Sequence, residues 1–215
     1  MKKYELTEET VTVYGKTLYR IRAVRDFGSV KTGEFGGYIE KEENLSHFGN
    51  AWVSGNAWVF DNARVYDNAW VFGNAWVFDN ARVYDDTWVY GNARVYDNAW
   101  VFGNAWVSGN AWVFDNAWVC GDAKVYGDAW VSGNAEVFNT RHFFVQGPIG
   151  SRNGFITFYR TKDNTVEVRC GCFSGSLQKF VDRVEETHGG SRYEKEYKLA
   201  AELAKVCIRL EGESR

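Results

Sequence analysis

Proline is nearly missing from this chain: 215 residues hold one, Pro148. Extended ladders before it therefore keep every backbone donor. No apolar run approaches the roughly 18 residues of a membrane-spanning helix, and the opening Met1-Lys2-Lys3-Tyr4-Glu5-Leu6 is charged where a secretory leader is apolar. A cytoplasmic protein that does not engage a membrane is the expectation. Cysteine is scarce too: Cys120, Cys170, Cys172 and Cys207 are too few and too unevenly spaced for a secreted disulfide framework, so reduced thiols are expected. Of three histidines, none lies between Ala51 and Phe138. Basic charge is thin in the middle, where residues 47 to 140 carry four basic and ten acidic side chains, a balance of −6. That argues against duplex DNA binding there. Residues 141 to 215 carry thirteen basic and ten acidic side chains, a balance of +3.

What fills the middle is a repeat. Fifteen valines stand six residues apart from Val53 to Val137, each framed as Ala-Trp/Arg-Val-Phe/Tyr/Ser-Gly/Asp-Asn. The residue two after the valine is Gly at 55, 73, 91, 109 and 127 but Asp at 61, 79, 97 and 115, so six residues make a side and eighteen a full turn. Three six-residue sides per coil predict a left-handed parallel β-helix whose short strands stack roughly 4.8 Å apart. Period-two alternation sends Ala and Val inward and the flanking residues outward. Gly-Asn and Asp-Asn suit corners that need positive φ.

The outward columns are aromatic. Side one carries Trp52, Trp70, Trp88 and Trp106 beside Ser54, Phe72, Tyr90, Ser108 and Tyr126. Side two carries Trp58, Trp76, Arg94, Trp112 and Trp130 beside Phe60, Phe78, Tyr96 and Phe114. Side three opens with Arg64 and Arg82 beside Tyr66 and Tyr84. Ladders of this kind stack on themselves, and Arg94 between Trp76 and Trp112 adds a cation-π contact. Eight aromatics on side two exceed the roughly 300 to 600 Å² of apolar surface a soluble monomer exposes, so that face is expected to pack against copies of itself as a homotrimer.

The pattern divides the chain into an N-terminal β cap at 1–46, the β-helix at 47–150 and a small ββαα module at 151–215. The cap holds a hairpin, Thr10 to Tyr14 and Thr17 to Arg22 around Gly15-Lys16, that should close the open first coil. Phe143, Ile149 and Phe155 keep the six-residue phase, so the repeat is expected to decay into the 150s. In the module, Phe155 to Tyr159 and Thr165 to Phe173 read as strands. Leu177, Phe180, Val181 and Val184 mark one helix; Ser191 with Glu194 starts a second, burying Tyr197, Ala200, Ala201, Ala204 and Ile208.

The repeats resemble the bacterial hexapeptide-repeat superfamily. The stretch Arg22-Ala23-Val24-Arg25-Asp26-Phe27, Val30-Lys31-Thr32-Gly33 and Gly36-Gly37-Tyr38-Ile39 resembles the entry segment of an acetyltransferase-named subgroup. The tail, with Gly150-Ser151-Arg152-Asn153-Gly154, Arg169-Cys170-Gly171-Cys172-Phe173 and Thr187-His188-Gly189, is similar to a module of phage and prophage proteins. For the enzymes, the resemblance implies acyl-coenzyme A, a histidine at a subunit cleft and loops that break the coil. Here the coil has neither insertion nor histidine; His47 falls at the inward column where the repeat begins and His142 where it decays. No catalytic residue and no cofactor is therefore assigned, with acyl transfer kept as the alternative.

The expectation is a non-catalytic, phage-type oligomeric scaffold that binds a host protein in the bacterial cytoplasm, possible targets including a defence factor. Capture of a small anion or nucleotide, and a role as a virion component, stay open. Ser151, Arg152, Asn153, Arg160 and Lys162 are the candidate anion or partner site, because glycine-flanked cationic loops present N–H and guanidinium groups. Cys170, Cys172, His188 and Cys207 are weak candidates for zinc, C-x-C alone being unspecific. The column Asp61, Asp79, Asp97, Asp115 invites calcium, but turn-capping by each Asp within its own corner is the preferred reading.

Overall fold

The structure is a computed structural model that describes residues 2–211. The repeat folds as a three-sided parallel β-solenoid of about six turns. Its two-residue strands run from β4 (Trp52–Val53) to β18 (Glu136–Val137), and each outside the last coil pairs in parallel with the strand eighteen residues on, valine against valine. The inward Ala and Val columns are buried without break. Where Thr87 replaces an alanine, its hydroxyl donates to the Tyr84 carbonyl at 2.7 Å, so the interior stays satisfied. Every corner turns through a positive-φ residue, Gly55, Asp61 and Asp67 in the first coil.

The N-terminal cap is an extension of one sheet. Strands β1 (Tyr4–Val13) and β2 (Lys16–Ala23) form an antiparallel hairpin, and β3 (Phe35–Ile39) pairs antiparallel with β2 and parallel with Trp58–Val59. Side two thus belongs to an eight-stranded sheet. The turn is Tyr14-Gly15, φ 49 and 77, one residue before the expected Gly15-Lys16, because both central residues must be left-handed to match strand twist. Leu45, opposite Val65, takes the inward place expected of His47. His47 instead stacks on Tyr4 at 4.3 Å.

The rod stops earlier than its hydrophobic phase suggests. Strand β19 (Phe143–Ile149) turns away and pairs antiparallel with β20 (Gly154–Arg160), followed by β21 (Val166–Cys170) and β22 (Phe173–Ser176). The terminal module is therefore ββββαα starting at Phe143, not ββαα from 151; of the three residues in phase, only Phe143 joins the rod's core, Ile149 packing toward the helices and Phe155 being exposed. Helices α1 (Leu177–His188) and α2 (Arg192–Cys207) pack on this sheet, α2 burying Tyr197, Ala200, Ala201 and Ala204. Strand β20 works on both faces: Ile156 and Phe158 face the helices, while Thr157 accepts from the Trp130 N–H at 2.9 Å and Tyr159 meets Ser132 at 3.3 Å. The sheet closes the last coil.

Candidate binding surfaces

Side two is laddered as its sequence implies. Trp58 stacks on Trp76 at 4.6 Å and Phe60, Phe78, Tyr96 and Phe114 continue at 4.9 to 5.0 Å. The Arg94 guanidinium lies 4.6 Å from Trp76 and 4.9 Å from Trp112, and Trp112 stacks on Trp130. Its ends, however, are covered by the chain itself. Val13 and Leu18 of the hairpin bury Phe60, 1% exposed, and Tyr14 meets Trp76 edge-on. At the far end Arg169 lies over Phe114, 6% exposed. Phe60 and Phe114 are thus unavailable to another copy, and only the middle of the expected wall is accessible. Burial also pushes the Tyr96 hydroxyl up to about 12.

Side one is the more open face. Trp88 is 42% exposed, the highest of the tryptophans among the described residues, and it stacks on Trp106 at 5.1 Å. Phe72 and Tyr90 stack alongside at 4.9 Å, and Tyr126 is exposed near the end. Trp52, by contrast, is buried under Tyr4 and Phe27. The difference comes from the cap: β3 directs the hairpin onto side two and leaves the middle of side one uncovered.

The corner columns are cross-coil ladders. Asp79 accepts from the Asp97 N–H at 3.4 Å, Asp97 from Asp115 at 3.3 Å and Asp115 from Gly133 at 3.1 Å. Each carboxylate therefore holds the next coil rather than its own turn, a correction to the expected capping. Asp61 pairs with Lys16, and asparagine amides bond to their equivalents one coil on, as from Asn74 to Asn92 at 3.2 Å. Burial raises the Asp79 carboxyl from its ordinary value.

The five residues of the expected anion site are not one cluster. Ser151, Arg152 and Asn153 lie exposed in the turn before β20, and Lys162 lies in the turn after it, over Trp118 at 3.9 Å. Between them Arg160 is 2% exposed, bonded to Glu136 at 2.7 Å and Glu211 at 2.9 Å and lying over Phe138. Its guanidinium is spent on closing the junction. The thiol and imidazole candidates are likewise apart in role: Cys170 adjoins Tyr197 and burial raises its thiol, Cys172 is exposed, His188 lies against Tyr193 and Tyr197, and Cys207 ends α2. Among the described residues no group of three or more His, Cys, Asp and Glu is placed to hold a metal. His142 is buried at the junction, its Nε2 2.8 Å from the Asn139 amide; burial, then the Arg160 charge, hold its pKa down to about 4.

These features define a β-solenoid repeat protein capped at both ends by its own chain. A family model described as YdcK beta solenoid repeat matches it over residues 63–78, 75–91, 89–103 and 93–109. The chain is similar to that repeat through the middle of the rod. No curated protein matches it. None of the helices among the described residues is long and apolar enough to cross a membrane.

Proposed function

We propose that this protein is a non-catalytic scaffold that self-assembles through side one of the rod, as a homotrimer, and presents its capped ends to a protein partner. The observation that carries this reading is Trp88, exposed at mid-rod and stacked on the half-buried Trp106, on a face otherwise built flat by stacking. A flat face repeated about a threefold axis closes without leaving a free apolar surface. The uninterrupted coil supports a scaffold over acyl transfer, since neither His47 under Tyr4 nor the buried His142 stands at a cleft. The resemblance of the tail motifs to a module of phage and prophage proteins makes a bacterial host protein the partner class we assign. Light scattering behind a sizing column should give the mass of three chains across a dilution series. A one-chain mass at all concentrations overturns the assembly, and transfer of label from acetyl-coenzyme A overturns the non-catalytic reading.

A further inference from the structure

Side three carries a ladder with a missing rung. Tyr66, Tyr84 and Phe102 stack at 4.8 and 5.1 Å with almost parallel planes. One coil earlier the backbone continues in register, Leu45 opposite Val65 and the Ser46 N–H donating to the Val65 carbonyl. The side chain beneath Tyr66 is thus Ser46, too small to cover a ring. Among the described residues no ring or cation lies against that face of Tyr66; its one ring partner is Tyr84, on the other side. The void belongs to a groove of about 360 Å³ lined by Glu43, Ser46, Arg64, Tyr66 and Arg82.

The charges around the groove point to what it takes. Arg64 and Arg82 are register partners on neighbouring strands, an arrangement of like charges that is intrinsically unfavourable. Both side chains are exposed and among the described residues neither makes an ion pair, although the Arg82 guanidinium lies over the Trp100 ring at 4.9 Å. Lys41 borders an adjoining depression that Arg64 and Glu43 also line. Arg64, Arg82 and Lys41 line the groove and its neighbour against the one lining carboxylate, Glu43, with Asp67 and Asp85 nearer the Tyr66 hydroxyl. Glu43 gives one acceptor for a ligand N–H.

We infer that this groove binds a planar heteroaromatic ring bearing an anionic group, a nucleotide in chemical class. The ring stacks on Tyr66 as the absent rung, and the anion lies between the Arg64 and Arg82 guanidiniums, relieving their repulsion. The arginines and tyrosines of this side are legible in the sequence but the slot is not; its signal is the step from Tyr66 to Ser46 one coil earlier.

Calorimetric titration of the full chain with adenosine monophosphate, adenosine and inorganic phosphate tests this. The nucleotide should bind at least about tenfold more tightly than either fragment, since stacking and ion pairing each contribute on the order of a tenfold factor. Arg64→Gln, an exposed change that leaves the coil intact, should weaken nucleotide binding about tenfold. Ser46→Tyr should fill the slot and abolish it. Equal affinity for phosphate and nucleotide, unchanged binding in Arg64→Gln, or no heat with the nucleotide at millimolar concentration overturns the proposal. None of these results depends on the oligomer.

Discussion

At the scale of one residue, the corners show why the repeat tolerates so little variation. Gly91 has φ +74, and a Cβ there would lie 3.1 Å from the Gly109 backbone nitrogen one coil on. Gly127, at φ +71, has no atom within 4 Å of the same position. Both lose conformational freedom on substitution, but only Gly91 also meets its stacked neighbour. Gly127→Ala should cost about 1–2 kcal/mol from the left-handed backbone, and Gly91→Ala roughly twice that, read as the shift in denaturation midpoint. His142 gives a pH dependence. The fold accepts its neutral form, with a pKa of about 4 against 6.5 when free, so the unfolded chain binds the extra proton between those values. Stability is therefore full above about pH 6.5 and falls as pH drops toward 4, by roughly 3 kcal/mol at most. Melting scans across that window should show the loss in the native chain and a flatter profile in His142→Gln, which is less stable at neutral pH.

At the scale of elements, the junction between rod and sheet depends on a buried cation. Arg160→Ala strands Glu136 and removes the cover of Phe138, and should cost about 3 kcal/mol in urea titration. Arg152→Ala, in an exposed turn, should stay within about 0.5 kcal/mol. The contrast explains what was legible beforehand. Strict periodicity exposes the coil because inward Ala and Val, outward aromatics and corner Gly or Asp each repeat at fixed spacing. The helices were equally readable from Leu177, Phe180, Val184 and the Ser191 cap. Strand β19 was not, since Phe143 and Ile149 fit the rod's phase although their pairing is with β20. Nor could composition show that Arg160 faces inward to Glu136, because a buried ion pair between distant positions leaves no local pattern. The cap's path over side two was hidden for the same reason: Val13 and Leu18 on Phe60 are contacts of long sequence separation.

For the whole molecule, the question is which side meets another copy. Sides one and two carry similar ladders, Trp88 on Trp106 at 5.1 Å and Trp112 on Trp130 at 5.1 Å, so breaking either should cost comparable stability. They differ in what lies over them. The hairpin crosses the start of side two and Arg169 covers Phe114 near its end, whereas Trp88 stays exposed at mid-rod. Paired charge insertions separate the contribution of the interface from that of the ladder. Trp88→Glu with Trp106→Glu should give a folded one-chain mass, because carboxylates placed across an apolar contact cannot be desolvated without a partner. Trp76→Glu with Trp112→Glu should lose similar thermal stability but keep the three-chain mass. The reverse outcome, with only the side-two pair dissociating, would mean that the strip between hairpin and terminal sheet suffices as an interface and that the Trp88 row faces a different protein.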